Sequence, residues 1–239
     1  MAEPSAYNPA RSRRSLFGAL IEARAVYGGK HPILVDGEGR VLNYDEIVRA
    51  AFALGRALTA NTKPGDAIGV LLPTGMGAVL TVYALWAFGR VPAMLNFTAG
   101  QQNLASAMKA AKVERVITAH RFIELGKFDA LEEFLKLNAE LTYLEEIREN
   151  LTFPAKLRAA VEARFANFLP QSAAPDSPAV ILFTSGTEGE PKGVVLSHAN
   201  ILANIEQIRA HLPFLATDVV FNPLPTFHSF GLTVGALMP

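Results

Sequence analysis

The sequence predicts an α/β protein, a mainly parallel sheet flanked by helices. Three observations carry that expectation. Short apolar strands alternate with helix-length segments through the first third of the chain. An uncharged run, Ala67–Gly89, has the hydrophobicity of a buried strand followed by a buried helix. Half of the 239 residues are hydrophobic, enough for a sizeable core.

The elements follow in order. A helix is expected from Ser15 to about Tyr27. The Arg13-Arg14 pair before it imitates an export tag, but the apolar stretch behind it stops at Glu22, too short for a signal core. His31–Val35 and Arg40–Leu42 flank Asp36-Gly37-Glu38-Gly39, a hairpin turn. Asn43 then caps a helix, Glu46 completes a capping box, and Ile47, Ala51, Leu54 and Leu58 make its apolar stripe. Lys63-Pro64-Gly65-Asp66 turns into the uncharged run. That run is long enough to span a bilayer. However, Gly69, Pro73, Gly75 and Gly77 break its first half, so it reads as a strand (67–72), a turn and a helix (76–88). A parallel strand covered on both faces is hydrophobic throughout. A strand at 91–95, a helix marked by Leu104, Ala107, Met108 and Ala111, and a strand at 113–118 complete the alternation.

From about Arg121 to Leu169 the pattern is charged, helical and without good strands. It predicts a helical excursion packed on the sheet. Leu157, Val161, Phe165 and Phe168 stand at helical spacing, Tyr143, Leu144 and Ile147 less regularly. Pro170 to Pro178 reads as a linker. The expected organisation is therefore a first α/β subdomain over 1–170, a linker over 171–178, and the start of a second α/β subdomain over 179–239. That second part has a strand at 179–183, a returning strand at 194–196 and a helix at about 199–212 carrying Ile201, Ile205, Ile208 and Leu212. A strand candidate at 219–221 and a helix just begun at Pro239 follow. An uncapped helix at that point predicts that the parent chain continues.

Composition excludes several functions. Lys plus Arg and Asp plus Glu are 22 each, so no nucleic acid partner is implied. Without cysteine there is no disulfide, thiolate zinc site or cysteine nucleophile, which fits a cytoplasmic protein. His31 and Asp36 stand at His-x4-Asp spacing. His31 opens a strand and Asp36 sits in its turn, so the pair reads as chance.

Thr184-Ser185-Gly186-Thr187-Glu188-Gly189-Glu190-Pro191-Lys192-Gly193 is the string with chemical content. Its glycines let the main chain approach a ligand, and consecutive N–H groups in such a loop form a concave anion site. Thr184, Ser185 and Thr187 add hydroxyls and Lys192 a mobile charge, a set suited to a polyphosphate. The Walker loop is excluded because Lys192 leads into a glycine and a strand, and the glycine spacing is wrong for a dinucleotide fingerprint. Composition alone leaves a flexible hairpin of common turn residues equally open.

This ten-residue string resembles the phosphate-binding signature of the adenylate-forming superfamily, which includes acyl-CoA synthetases, luciferases and peptide-synthetase adenylation domains. Leu42-Asn43-Tyr44-Asp45-Glu46-Ile47, the stretch from Gly65-Asp66 through Phe88, and Pro223 to Gly231 resemble further blocks of the family in the right order. The resemblance spans about Ser15 to the C-terminus and implies the N-terminal part of that family's large domain. Pro92 to Gly100 and His228 to Gly235 are similar to the ligase part of the bifunctional acylglycerophosphoethanolamine acyltransferase/acyl-carrier-protein synthetase family.

The resemblance implies ATP-dependent activation of a fatty acid as its acyl-adenylate, then transfer to acyl carrier protein or CoA. It implies ATP and Mg2+ as cofactors, with Thr184, Ser185, Gly186, Thr187, Glu188, Gly189 and Lys192 at the phosphates and Thr184 also on the metal. His228 is the expected active-site residue, positioning the carboxylate and gating the acyl tunnel, with Phe227 and Phe230 at its mouth. A lysophospholipid, reached through a fused or partner acyltransferase, and a cytoplasmic place at the inner membrane follow by the same resemblance. The family's later adenine, ribose and lysine motifs are missing from this sequence, so the isolated chain is expected to be inactive. A catalytically silent nucleotide-binding module and a different acyl-CoA synthetase stay open as alternatives.

Overall fold

The computed structural model describes residues 6–170, 172–184 and 191–238. Helix α1 (Leu16–Tyr27) starts at Ser15, whose hydroxyl accepts the Gly18 N–H at 2.9 Å. The hairpin of β1 (Pro32–Val35) and β2 (Val41–Asn43) follows. Asp36 organises its turn by accepting the N–H groups of Glu38 and Arg40 at 3.0 and 2.8 Å. The Arg40 guanidinium beside it holds its carboxyl below the usual carboxylate range. His31 lies against the rings of Tyr27 and Tyr44, as ordinary packing does.

Helix α2 (Tyr44–Leu58) begins with the expected capping box: Asn43 Oδ1 accepts the Glu46 N–H at 3.0 Å and Glu46 accepts the Asn43 N–H at 2.9 Å. The uncharged run becomes β3 (Ala67–Val70), a turn at Pro73-Thr74-Gly75, and α3 (Met76–Ala87). No helix among the described residues is long and apolar enough to cross a membrane. Then come β4 (Val91–Met94), α4 (Gln101–Ala110), β5 (Arg115–Thr118), α5 (His120–Gly126), α6 (Asp129–Asn138) and β6 (Glu140–Tyr143). After these the chain forms α7 (Leu144–Asn150), α8 (Phe153–Arg164), β7 (Pro178–Thr184), β8 (Lys192–Ser197), α9 (His198–Arg209) and α10 (Ser229–Leu232).

Strands β6-β5-β3-β4-β7-β8 form one sheet in that order, every neighbouring pair parallel except β7–β8. Alternate residues of each strand face opposite sides. Ile68, Val70, Met94 and Ile117 join one core with α1, α2, α3 and α9, whereas Leu71, Ala93, Leu95 and Val116 join another with α4 and Leu135 of α6. The sheet is thus covered on both faces, which is why its central strands are apolar at every position. Gly55 lets α2 and α3 pack closely: a Cβ there would fall 2.5 Å from the Ala84 carbonyl oxygen.

Three expectations are corrected. First, the segment 121–169 contains a strand: β6 runs parallel to β5, in register from Arg115–Glu140 to Thr118–Tyr143. It was illegible because it is a short edge strand whose first residue is exposed, so its side chains need not alternate. Arg115 anchors it, donating to both Glu140 carboxylate oxygens at 3.0 and 2.9 Å and to the carbonyls of Leu58 and Ala60. Second, the stripe at Leu157, Val161, Phe165 and Phe168 does not pack on the sheet; all four residues are exposed. The other face of α8 is buried, through Ala159 and Ala163, against a core that includes α1 and α2. Arg24 donates to the Ala163 carbonyl at 2.8 Å. Small residues won because they let the helix backbone approach. Third, Val219–Phe221 forms no strand, and Val219 and Phe221 are exposed. Helix α9 ends at Arg209, leaving Leu212 beyond it and exposed. Across 171–178 the sheet continues, β7 pairing directly with β4. Trp86 Nε1 on α3 donates to the Ala179 carbonyl of β7 at 2.7 Å, and the Ser172 hydroxyl donates to the Trp86 carbonyl.

Candidate functional site

In an open parallel sheet, ligands bind beyond the carboxyl ends of the strands. Here β3, β4 and β7 point the same way, with Val70 beside Met94 and Met94 beside Leu182. Two residues beyond the Met94–Leu182 pair stand Asn96 and Thr184. The chain's crossovers also change side at β4: α3, which precedes it, packs on one face and α4, which follows it, on the other.

The glycine-rich segment springs from this edge. Thr184 pairs with Lys192 across the antiparallel β7–β8 ladder, and both are exposed. The Thr184 hydroxyl lies 3.5 Å from the Lys192 carbonyl oxygen, too long to hold it firmly. The two flanking strands expected for the segment are present, β7 ending at Thr184 and β8 starting at Lys192 itself. Ser185, Gly186, Thr187, Glu188 and Gly189 lie outside the described residues. Thr184 contributes a hard oxygen donor, the type Mg2+ accepts, and Mg2+ sites commonly take few protein ligands and complete their shell with phosphates and water. Among the described residues no group of three or more acidic, His or Cys side chains gathers to hold a metal by itself.

His228 is the N-cap residue of α10 and is exposed. The Leu232 N–H donates to its carbonyl at 3.0 Å, and its ring lies 4.7 Å from that of Phe227. Phe227 is buried and meets Phe97 edge-on at 5.3 Å; Phe97 in turn packs on Phe122 and Phe128. An aromatic cluster therefore sits behind His228, just past β4. Phe230, by contrast, is exposed.

Sequence reading missed what docks this segment. Thr74, in the turn after β3, donates its hydroxyl to the Leu224 carbonyl at 3.0 Å and accepts the Thr226 N–H at 3.1 Å. Asn222 accepts the Leu224 N–H at 3.2 Å and donates to the Gly231 carbonyl at 3.0 Å. Gly231 must be glycine, since a Cβ would lie 2.3 Å from the Pro225 carbonyl oxygen. The signal for Thr74 was faint: a polar residue in the middle of an apolar run. The structure brings Thr184 and Lys192 together in one ladder, and Thr74 ties the His228 segment to the same edge of the sheet.

A sulfoacetate–CoA ligase of Cupriavidus necator is 30% identical to this chain over 236 residues, covering 92% of the chain and 42% of that protein. A chloroplastic long-chain-fatty-acid–acyl-carrier-protein ligase of Arabidopsis thaliana is 36% identical over 89 residues, 37% of this chain and 12% of that protein. A fatty acyl-adenylate ligase from L. pneumophila, solved in complex with acyl adenylate and pyrophosphate, shares the fold. Its TM-score is 0.73 at 21% identity, over 94% of this chain and 38% of that one. The chain thus spans less than half the length of each of these relatives. Residues 21–239 match the AMP-binding enzyme family along their whole length, and the chain belongs to that family.

Proposed function

We propose that this chain is the nucleotide-phosphate-holding part of an acid–thiol ligase that activates a fatty acid with ATP. The observation that supports it is the Thr184–Lys192 pairing, which sets a hydroxyl and a cation side by side at the ligand-binding edge of the sheet. A carboxylic acid is a poor acyl donor because hydroxide leaves badly. In this reading the fatty carboxylate attacks the α-phosphorus of ATP, the bond to the bridging oxygen breaks, and pyrophosphate leaves. Charge accumulates on the departing phosphates, where Lys192, the Thr184 hydroxyl and the loop amides stabilise it. Thr184 would hold Mg2+, which supplies further charge neutralisation there. His228 holds the carboxylate in line with phosphorus, a matter of orientation and not of proton transfer. A thiol then displaces AMP. CoA and acyl carrier protein are the two acceptors the relatives' names offer. An acyltransferase, fused or separate, could pass the acyl group to a lysophospholipid, with the protein in the cytoplasm against the inner membrane.

ATP–pyrophosphate exchange tests this. In the complete enzyme, Lys192→Ala should lower exchange by roughly a hundredfold, since backbone donors remain. Unchanged exchange would remove Lys192 from the site. The 239-residue chain alone should give no exchange above blank.

A further inference from the structure

We propose that the outward face of α8, with the turn that follows it, docks on an anionic bilayer surface. Phe153, Leu157, Val161 and Phe165 recur every fourth residue, and all are more than half exposed, Phe153 at 77%. Phe168, 83% exposed, and Leu169 continue the apolar surface past the helix end. Large side chains at this spacing normally face a core. Here the core side is taken by Ala159, Ala163 and Ala166, so six large apolar groups are left to water.

The charges choose the occupant. Between Thr152 and Pro170 the chain carries Lys156, Arg158 and Arg164 against one acid, Glu162. Glu162 faces away from the stripe: it pairs with Arg56 on α2 and with Arg158. Lys156 and Arg164 are exposed and make no ion pair among the described residues. At helical spacing Lys156 and Arg158 fall on either side of the apolar stripe and Arg164 among it. An apolar helix face bordered by cations is what lies in the interface of an anionic bilayer, rings below the headgroups and ammonium or guanidinium groups at them.

This names the surface behind the membrane location suggested above. It rests on α8 alone, and its test requires neither ATP nor an acyl substrate, so its failure is distinct from failure of the ligase reading. The chain is floated with vesicles of phosphatidylcholine alone and of phosphatidylcholine mixed with phosphatidylglycerol. It should float with the mixed vesicles, poorly with the neutral ones, and less as salt is raised. The double variants L157S/F165S and K156A/R164A alter exposed positions, so both should keep the far-UV circular dichroism of the parent. Each should cut partitioning roughly tenfold or more. No flotation of the parent, equal flotation on neutral vesicles, or variants that bind like the parent would overturn the proposal. So would a concentration-dependent dimer that L157S/F165S dissolves, which would give the face to a second copy.

Discussion

At the scale of single residues, His198 shows how burial decides chemistry. It is 1% exposed, lies edge-on to Trp86, and its Nδ1 accepts the Leu16 N–H at 3.1 Å, so the neutral ring carries its proton on Nε2. Burial pushes its pKa down from 6.5 to about 4. The fold therefore favours the neutral ring. Its contribution is complete above about pH 6.5 and is lost as pH falls toward 4, reaching about 3 kcal/mol. Thermal melts between pH 7 and 4 should show this decline, and His198→Asn should flatten the part of it that falls below pH 6.5. An unchanged slope in the variant would assign the acid sensitivity to other groups. Nothing in the sequence marked His198, because a histidine after a helix-capping serine has no pattern of its own. His228 was noticed only through the block around it, and the docking of that block by Thr74 depends on atoms 150 and 152 positions apart in the chain.

At the scale of elements, two substitutions separate pattern from packing. Gly55→Ala should destabilise by about 1–3 kcal/mol, because the new methyl meets the Ala84 carbonyl and the Phe88 ring and α2 must move off α3. Urea midpoints compared with wild type measure it; a neutral effect would show that the helices have slack. On α8 the two faces should respond in opposite senses to size and polarity. Leu157→Ser should change stability by no more than about 0.5 kcal/mol, whereas Ala163→Leu should cost about 1–3 kcal/mol. Denaturation curves giving the reverse order would place the large residues inside. Helix α8 was legible as a helix, but its buried side was not. Hydrophobicity points to the stripe of Leu157, Val161, Phe165 and Phe168, and only the close approach to its neighbours selects the alanines. Caps were easier: Asn43 and Glu46 satisfy each other within four residues, so no tertiary contact was needed to read them.

At the scale of the whole molecule, the sheet runs unbroken from β6 to β8, and Trp86 bridges α3 to β7. The chain has one tryptophan, so its fluorescence reports on that junction. Urea unfolding followed by Trp86 emission and by far-UV circular dichroism should give coincident transitions. Two separated transitions would restore the division at 171–178 that composition suggested and strand pairing argues against.

By itself the sequence determined the class of fold and the two strands that flank the glycine-rich segment. Strand alternation, helix caps and the Thr184–Gly193 string are all local, and local physics leaves its mark in neighbouring residues. Tertiary structure alone decided that β6 joins the sheet through Arg115 and Glu140, that α8 turns its alanines inward, that β7 closes on β4, and that Thr74 holds the His228 segment. Each of these depends on which distant surfaces can come closest with their polar atoms paired, and no short window of sequence contains both partners.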